Sequence, residues 1–128
     1  MKLRAKLVHP LEWLFEPLED HPAYMRRKMF GCEAAYLDGL LMLVLASGEE
    51  PWNGMLIATE RQFHEALQSE WQQLKPHPVL GKWLYISQTD PGFEKVGTAI
   101  VEHVRRGGAR IGVEPKPKKR KRTGRMMK

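Results

Sequence analysis

Cys32 is the side chain with the clearest potential for covalent chemistry. A lone cysteine with histidines elsewhere in the chain can act as a nucleophile when a base activates its thiol. Here it stands in an apolar, strand-like segment beside Phe30 and Ala34, and cysteine is among the residue types most often buried. No spacing nominates a partner base, so we interpret Cys32 as structural. The alternative is a small enzyme or ligand-binding protein that uses Cys32 and a pocket between sheet and helices.

The other titratable side chains do not form a pattern typical of a catalytic or metal site. No two histidines have the three- or four-residue spacing of converging metal ligands, since they stand at His9, His21, His64, His77 and His103. His64 is expected at the surface. The acidic residues around Glu16 and at Glu49-Glu50 lie at predicted turns, where no pocket holds a carboxylate for acid–base work. We therefore predict no catalytic residue, no metal site and no cofactor.

Trp52 is a candidate interaction anchor. It lies in a loop predicted over residues 47–54, and an exposed loop tryptophan is a plausible binding residue. The alternative is that its ring packs back over the sheet edge. The other tryptophans lie in predicted regular elements and are expected in the core or a dimer interface: Trp13, Trp71 and Trp83.

Two kinds of periodicity describe the elements that would position these side chains. Helical spacing over residues 11–18 predicts a first helix, which Pro17 strains and His21-Pro22 ends. An irregular stretch is expected over residues 23–26, followed by strand-like segments. Gly31 is expected at a bulge or a sharp bend.

Capping patterns mark two further helices. Thr59-x-x-Gln62 matches a capping box and predicts a helix with Phe63, Leu67, Trp71 and Leu74 on one face. Asp90 and Pro91 predict the start of the last helix, which buries Phe93, Val96, Ile100 and Val104. An aromatic-rich strand over residues 82–87 separates the two. The order helix, three or four strands, helix, strand, helix predicts an α+β fold with one antiparallel sheet packed against helices.

The charge of the chain is divided unevenly. The 128 residues carry a net charge of +6, yet residues 1–114 carry −2, because all eight charged residues from 115 to 128 are basic. We predict a domain over residues 1–113 and a disordered basic tail over 114–128. The expected nucleic-acid contacts are Lys116, Lys118, Lys119, Arg120, Lys121, Arg122 and Arg125. Such binding would be largely independent of base sequence. The alternatives are an anionic protein or lipid surface, or a solubilising tail with no dedicated partner.

The stretch Lys28-Met29-Phe30-Gly31, followed by an Asp38-Gly39 hairpin signal, resembles the TfoX N-terminal domain family. The resemblance covers roughly residues 10–108 by the order of the elements. It implies a compact sandwich similar to secretion-chaperone-like folds, often dimeric, and a context of bacterial regulation. Family members with a second, helical domain include regulators of competence genes, and here a basic tail stands in place of that domain. The family brings no catalytic or cofactor residues.

The single cysteine and the short apolar runs of the chain bear on its cellular compartment. One cysteine excludes an internal disulfide and fits a reducing cytoplasm. The longest apolar run has seven residues, far fewer than the roughly 20 that span a bilayer, so no membrane association is expected. We predict a non-enzymatic bacterial regulatory or interaction module, a homodimer with an unidentified protein partner, whose tail binds nucleic acid.

Overall fold

An antiparallel sheet of six strands organises the residues that the computed structural model describes, which are 10–29, 31–108 and 110–115. Its spatial order is β1-β2-β3-β4-β6-β5. The strands span Tyr24–Met29 (β1), Cys32–Leu37 (β2), Leu40–Ser47 (β3), Asn53–Ile57 (β4), Lys75–Pro76 (β5) and Leu84–Ser87 (β6).

Helical segments flank this sheet along the chain. A 3₁₀ helix spans Glu12–Leu18, and a 3₁₀ turn at Arg61–Phe63 leads into helix α1, His64–Glu70. Helix α2 spans Phe93–Arg105. The predicted α+β class is confirmed. The elements differ from the prediction in several details. The first helix is 3₁₀ with Pro17 inside it, the short strand β5 lies between α1 and β6, and the strand predicted over residues 82–87 begins at Leu84, so Trp83 precedes it.

Asp38 and Gly39 form the two-residue turn between β2 and β3, as the sequence predicts. Their φ angles are +52° and +81°, the left-handed values that such a turn requires. Leu37 and Leu40 pair on either side of it. Gly31, with φ +80°, lies in the turn that joins β1 to β2, which confirms the expected sharp bend.

The prediction of an irregular stretch over residues 23–26 is wrong, because β1 already begins at Tyr24. The sequence of β1 does not predict a strand, because its three consecutive charged residues do not alternate with apolar residues. Arg26 and Lys28 point to the helix side, where both contact the carboxylate of Glu33, each at 2.9 Å. Ion pairs thus take the place of apolar contacts at this edge of the sheet.

A β-bulge in β3 sets which side chains face the helices. Ala35 pairs with Leu43, but the next residue, Tyr36, pairs with Leu41, so Met42 is paired with no residue of β2. The extra residue shifts the side-chain alternation by one position. Leu41 consequently shares a face with Val44, which regular alternation would forbid.

The helix side of the sheet carries the main core. Leu14 and Phe15 of the 3₁₀ helix are buried there, and Leu14 packs across Gly97 of α2. The face predicted for α2 is confirmed, with Phe93, Val96, Ile100 and Val104 all buried. Leu67 and Leu74 are buried, with Phe63 and Trp71 packed beside them. The helix predicted to carry all four is shorter than expected, because α1 ends at Glu70 and only Leu67 lies within it.

A second apolar cluster lies on the opposite side of the sheet. We call this side the second face; its buried members are Ala34, Leu41, Val44, Ala46, Leu56, Ala58 and Tyr85. Cys32, Tyr36, Trp83 and Val113 pack against them. None of the described helices contributes to this cluster.

The predicted capping box at Thr59 is wrong. The Thr59 hydroxyl donates instead to the carbonyl of Arg110 at 2.6 Å, and neither Arg61–Phe63 nor α1 has a side-chain cap. The predicted start of α2 at Asp90 and Pro91 is also wrong, because the helix begins at Phe93 with Gly92 at its N-cap and no side-chain cap. Asp90 instead accepts a bond from the amide of Gly92 at 2.8 Å, in the turn before the helix. No helix in the described part of the chain is long and apolar enough to cross a membrane.

Candidate interaction surface

The residues that carry the family resemblance have structural roles where the structure describes them. Gly31, Asp38 and Gly39 form turns, Lys28 is paired with Glu33, and Met29 pairs with Cys32 along the β1–β2 ladder. Phe30 lies outside the described residues. The motif thus builds two consecutive hairpins.

Cys32 lies in β2, partly exposed, on the second face. Burial, and then the negative charge of Glu33, raise the pKa of its thiol above the ordinary value. A raised pKa disfavours the thiolate, which is the nucleophilic form. The environment is therefore the opposite of one that activates a cysteine. Among the described residues, no three His, Cys, Asp or Glu side chains are arranged to hold a metal ion.

Trp52 is partly exposed and partly packed, so the structure combines features of both interpretations of it. Its exposed fraction is 36%, and its ring centroid lies 4.5 Å from that of His77. The loop is closed by bonds from Gly48 N to Trp52 O and from Trp52 N to Glu49 O, at 2.6 and 2.7 Å. Backbone hydrogen bonds and the contact with His77 thus fix Trp52, while part of its indole remains exposed to solvent.

His77 joins this loop to the next one. It is only 1% exposed; its Nδ1 accepts bonds from the amides of Val79 and Leu80, at 3.1 and 3.0 Å. Its Nε2 must then carry the proton, which it donates to the carbonyl of Pro51 at 3.0 Å. Burial lowers the pKa of His77, consistent with a neutral ring that is fully hydrogen-bonded.

A chain of polar side chains extends from the same place. The Tyr85 hydroxyl donates to Asn53 Oδ1 at 2.6 Å, and Asn53 Nδ2 donates to Ser87 Oγ at 3.3 Å. Ser87 in turn donates to Glu50 at 2.8 Å, and this bond lowers the pKa of the Glu50 carboxyl. The network fixes the Trp52 loop against β6.

The residues fixed by His77 display apolar side chains to solvent. Val79 is 64% exposed and Leu80 is 37% exposed. The segment is closed by bonds from His77 N to Trp83 O, at 2.9 Å, and from Trp83 N to Leu80 O, at 2.8 Å. Hydrogen bonds and ring packing at His77 connect the segments that carry Trp52, Val79, Leu80 and Trp83, and we call these four residues the tryptophan surface.

Trp83 and Lys82 border two hollows in this surface. One, of about 400 Å³, lies beside Val113 and Pro115. The other, of about 280 Å³, lies beside Arg61 and Leu80. Lys82 is 3.9 Å from Glu60, an exposed and weak ion pair.

The chain reaches the first hollow through a fixed bridge. Leu41 and Val113 exchange two backbone bonds, of 2.8 and 2.9 Å, as an isolated antiparallel bridge on β3. The segment that precedes the basic tail is thereby attached to the sheet next to Trp83. The predicted nucleic-acid contacts, from Lys116 to Arg125, lie outside the described residues.

The remaining aromatic and histidine residues lie elsewhere. Trp13, expected in the core or an interface, is 40% exposed on the 3₁₀ helix, so it is not a core residue. His103 packs edge-on against Trp71 with centroids 5.5 Å apart. His64, expected at the surface, is partly exposed, with its Nε2 2.8 Å from the Lys82 carbonyl oxygen.

The sequence analysis missed the roles of His77 and Trp83. In the sequence His77 is only one of five scattered histidines, and its position between Pro76 and Pro78 indicates no role for it. No local signal connects it to Trp52, because the contact depends on the pairing of β5 with β6.

Comparison with known proteins adds nothing here: no family model, no curated protein and no solved structure matches this chain.

Proposed function

We propose that this protein is a non-enzymatic interaction module whose basic tail brings the folded domain to nucleic acid. The resemblance to the TfoX N-terminal domain, with its secretion-chaperone-like fold, motivates a role in bacterial regulation. The raised pKa of the Cys32 thiol argues against the alternative of an enzyme built around that residue.

Segregation of charge is the observation that carries the proposal. Residues 10–115 contain 10 basic and 15 acidic side chains, a net charge of −5, whereas residues 116–128 contain eight basic and no acidic side chains. The acidic part repels nucleic acid at long range and the tail attracts it. Residues 1–9 add three cations, Lys2, Arg4 and Lys6, against the eight of the tail. An interaction between this protein and a polyanion therefore depends mainly on the tail.

The expected binding is electrostatic and weakly dependent on sequence. Each phosphate neutralised on duplex DNA releases counterions, so log K falls by about 0.9 for each tenfold rise in salt per contact. The tail has no aromatic residue that could stack on bases. Aromatic stacking on bases, if the protein makes it, must come from the domain.

The experiment is a salt titration of the full chain with a labelled duplex, followed by fluorescence anisotropy. A matched variant replaces Lys118, Lys119, Lys121 and Arg122 with Gln, which keeps chain length and removes four charges. We expect tight binding at low salt and a slope smaller by up to about 3.6 in the variant, four contacts at roughly 0.9 each. Equal affinity and slope for the two proteins would contradict the proposal.

We further propose a cytoplasmic homodimer. The single cysteine motivates the reducing compartment, and the family resemblance motivates the dimer. Light scattering on the full chain at tens of micromolar tests the assembly, and a strictly monomeric mass would exclude it.

A further inference from the structure

We propose that the hollow beside Trp83 accepts an unpaired nucleobase, so that the protein prefers single-stranded nucleic acid over duplex. This inference rests on the proposed function, because the tail must first bring the strand to the domain.

The described part of the chain ends beside Trp83, at the residue before the first cation of the basic tail. The Leu41–Val113 bridge fixes the chain on β3, and Pro115 then lines the 400 Å³ hollow together with Lys82 and Trp83. Lys116, the first cation of the tail, follows immediately in the sequence. A strand held by the tail is therefore delivered to the side of the domain that carries Trp83.

The volume and the lining of the hollow suit a base better than a phosphate. Its volume falls within the roughly 300–1,000 Å³ typical of small-molecule sites. The Trp83 indole offers an aromatic surface of the kind on which bases stack, irrespective of their identity. Glu60 and Glu114 also line the hollow; their carboxylates repel phosphates, which leaves this space to a base and the phosphates to the surrounding cations.

Arg61 provides a cation beside the same tryptophan. It lines the neighbouring 280 Å³ hollow on the same tryptophan, and among the described residues no ion pair engages it. Its guanidinium is thus available to a phosphate of the strand whose base contacts Trp83, since arginine forms bidentate bonds with phosphate. Lys82 borders both hollows and adds a second cation.

Electrostatics alone predicts the opposite preference. Duplex DNA has the higher charge density, and the salt dependence per phosphate is about 0.9 on duplex against about 0.7 on single strands. A basic tail without help from the domain therefore favours duplex. A duplex also keeps its bases stacked inside the helix, where they cannot enter the hollow. Preference for a single strand would require the domain.

The chain provides an internal control in Trp13. This residue also lines two hollows, and it is exposed where Trp83 is half-buried against the second face. The charged neighbours in those hollows are acidic: Glu16, Asp90 and Glu94. Trp13 thus matches Trp83 as an aromatic residue beside a hollow. It differs in that no cation of the described residues lines its hollows, whereas Lys82 and Arg61 line those at Trp83.

The test measures binding of the full chain to labelled single-stranded DNA, single-stranded RNA and duplex DNA of about 12 nucleotides, within the range of known site sizes. We expect at least one type of single strand to bind about tenfold more tightly than duplex, the equivalent of one stacked base. Trp83→Leu should remove most of this preference and Trp13→Leu should keep it. Arg61→Gln, at an exposed position, should weaken single-strand binding even if Trp83→Leu impairs folding.

The outcomes separate this inference from the proposed function. Tail-dependent binding that favours duplex, or single-strand binding unchanged by Trp83→Leu and Arg61→Gln, would overturn the inference and leave the proposed function intact. Binding that persists when the tail is neutralised, or no binding by the full chain, would overturn both. Which single strand binds more tightly assigns the site to RNA or to DNA.

Discussion

The Nε2 atom of His77 donates a 3.0 Å hydrogen bond to the carbonyl oxygen of Pro51, which precedes it by 26 residues in the chain. This bond connects the loop that carries Trp52 to the loop that carries Val79 and Leu80. The ring is buried and accepts two amide bonds through Nδ1. His77 is therefore the residue on which the shape of the tryptophan surface depends.

Replacement of His77 by Ala should destabilise the fold by about 2–4 kcal/mol, because it removes a buried ring and leaves two amides and one carbonyl without partners. His64→Ala is the matched control. That histidine is partly exposed and makes one bond to a carbonyl, so a loss of at most about 1 kcal/mol is expected. Urea unfolding of both variants checks the prediction; equal losses would contradict it.

Stability should decline as the pH falls below about 6.5. Burial lowers the pKa of His77, and burial and Arg110 lower that of His103. The unfolded chain, whose histidines titrate near 6.5, then binds protons that the folded chain does not bind. This contribution is complete above 6.5 and is lost as the pH falls toward the folded-state values. Urea midpoints measured across this range report it, and a His77→Ala variant should show a shallower decline.

Glu33→Gln should cost about 1–3 kcal/mol at neutral pH, because the carboxylate receives charge-assisted bonds from Arg26 and Lys28. Burial alone would raise the pKa of Glu33, but these bonds and charges lower it overall. Its contribution is therefore present above the unfolded value near 4.5 and lost as the pH falls below it. The exposed Glu65→Gln is the control. An acid unfolding curve identical to that of the wild type would exclude the predicted role.

Gly54→Ala should be among the most damaging small substitutions in the chain. An added Cβ would lie 2.1 Å from the backbone oxygen of Ile86, so β4 and β6 would have to separate. Gly97→Ala is the comparison, because its Cβ would lie 3.4 Å from a flexible Leu14 methyl. That variant should be within about 1 kcal/mol of wild type, since alanine favours a helix interior. Thermal unfolding of the two variants decides; similar melting temperatures would refute the predicted difference.

Cys32 should react slowly with a thiol reagent at neutral pH in the native protein. Its raised pKa keeps the reactive thiolate scarce. Denaturant should accelerate labelling strongly, because it removes the burial that is the main cause of the raised pKa of the thiol. Fast, stoichiometric labelling of the native protein would restore the enzyme hypothesis.

Local signals account for a large part of this fold. The Asp38-Gly39 turn follows from two residues with positive φ, and α2 follows from apolar spacing that the structure buries as predicted. Thr59 shows where local reasoning fails. Its hydroxyl has the spacing of a helix cap, but the carbonyl of Arg110, 51 residues away, is the acceptor that it bonds. A partner so distant in the chain leaves no trace in a local pattern.

The candidate surface was predictable only in part for the same reason. Trp52 could be identified from its loop, yet its packing on His77 depends on how two separate loops meet over β6. The bulge at Met42 is similarly invisible, because Leu40–Ser47 reads as a uniformly apolar strand. Tertiary pairing, rather than residue type, determines these features.

The two borders of the sheet differ in a way that bears on self-association. β1, at one border, presents Arg26, Arg27 and Lys28 in succession, and β5, at the other, has two residues, one of which is Pro76 without an amide proton. Arg26 and Lys28 are paired with Glu33, which leaves Arg27, in no ion pair among the described residues, to repel an identical strand; Pro76 cannot donate to one. Addition of a second copy strand to strand, the first step toward fibrous aggregates, is thus disfavoured at both borders. A homodimer of this protein is therefore expected to form through a surface other than these borders.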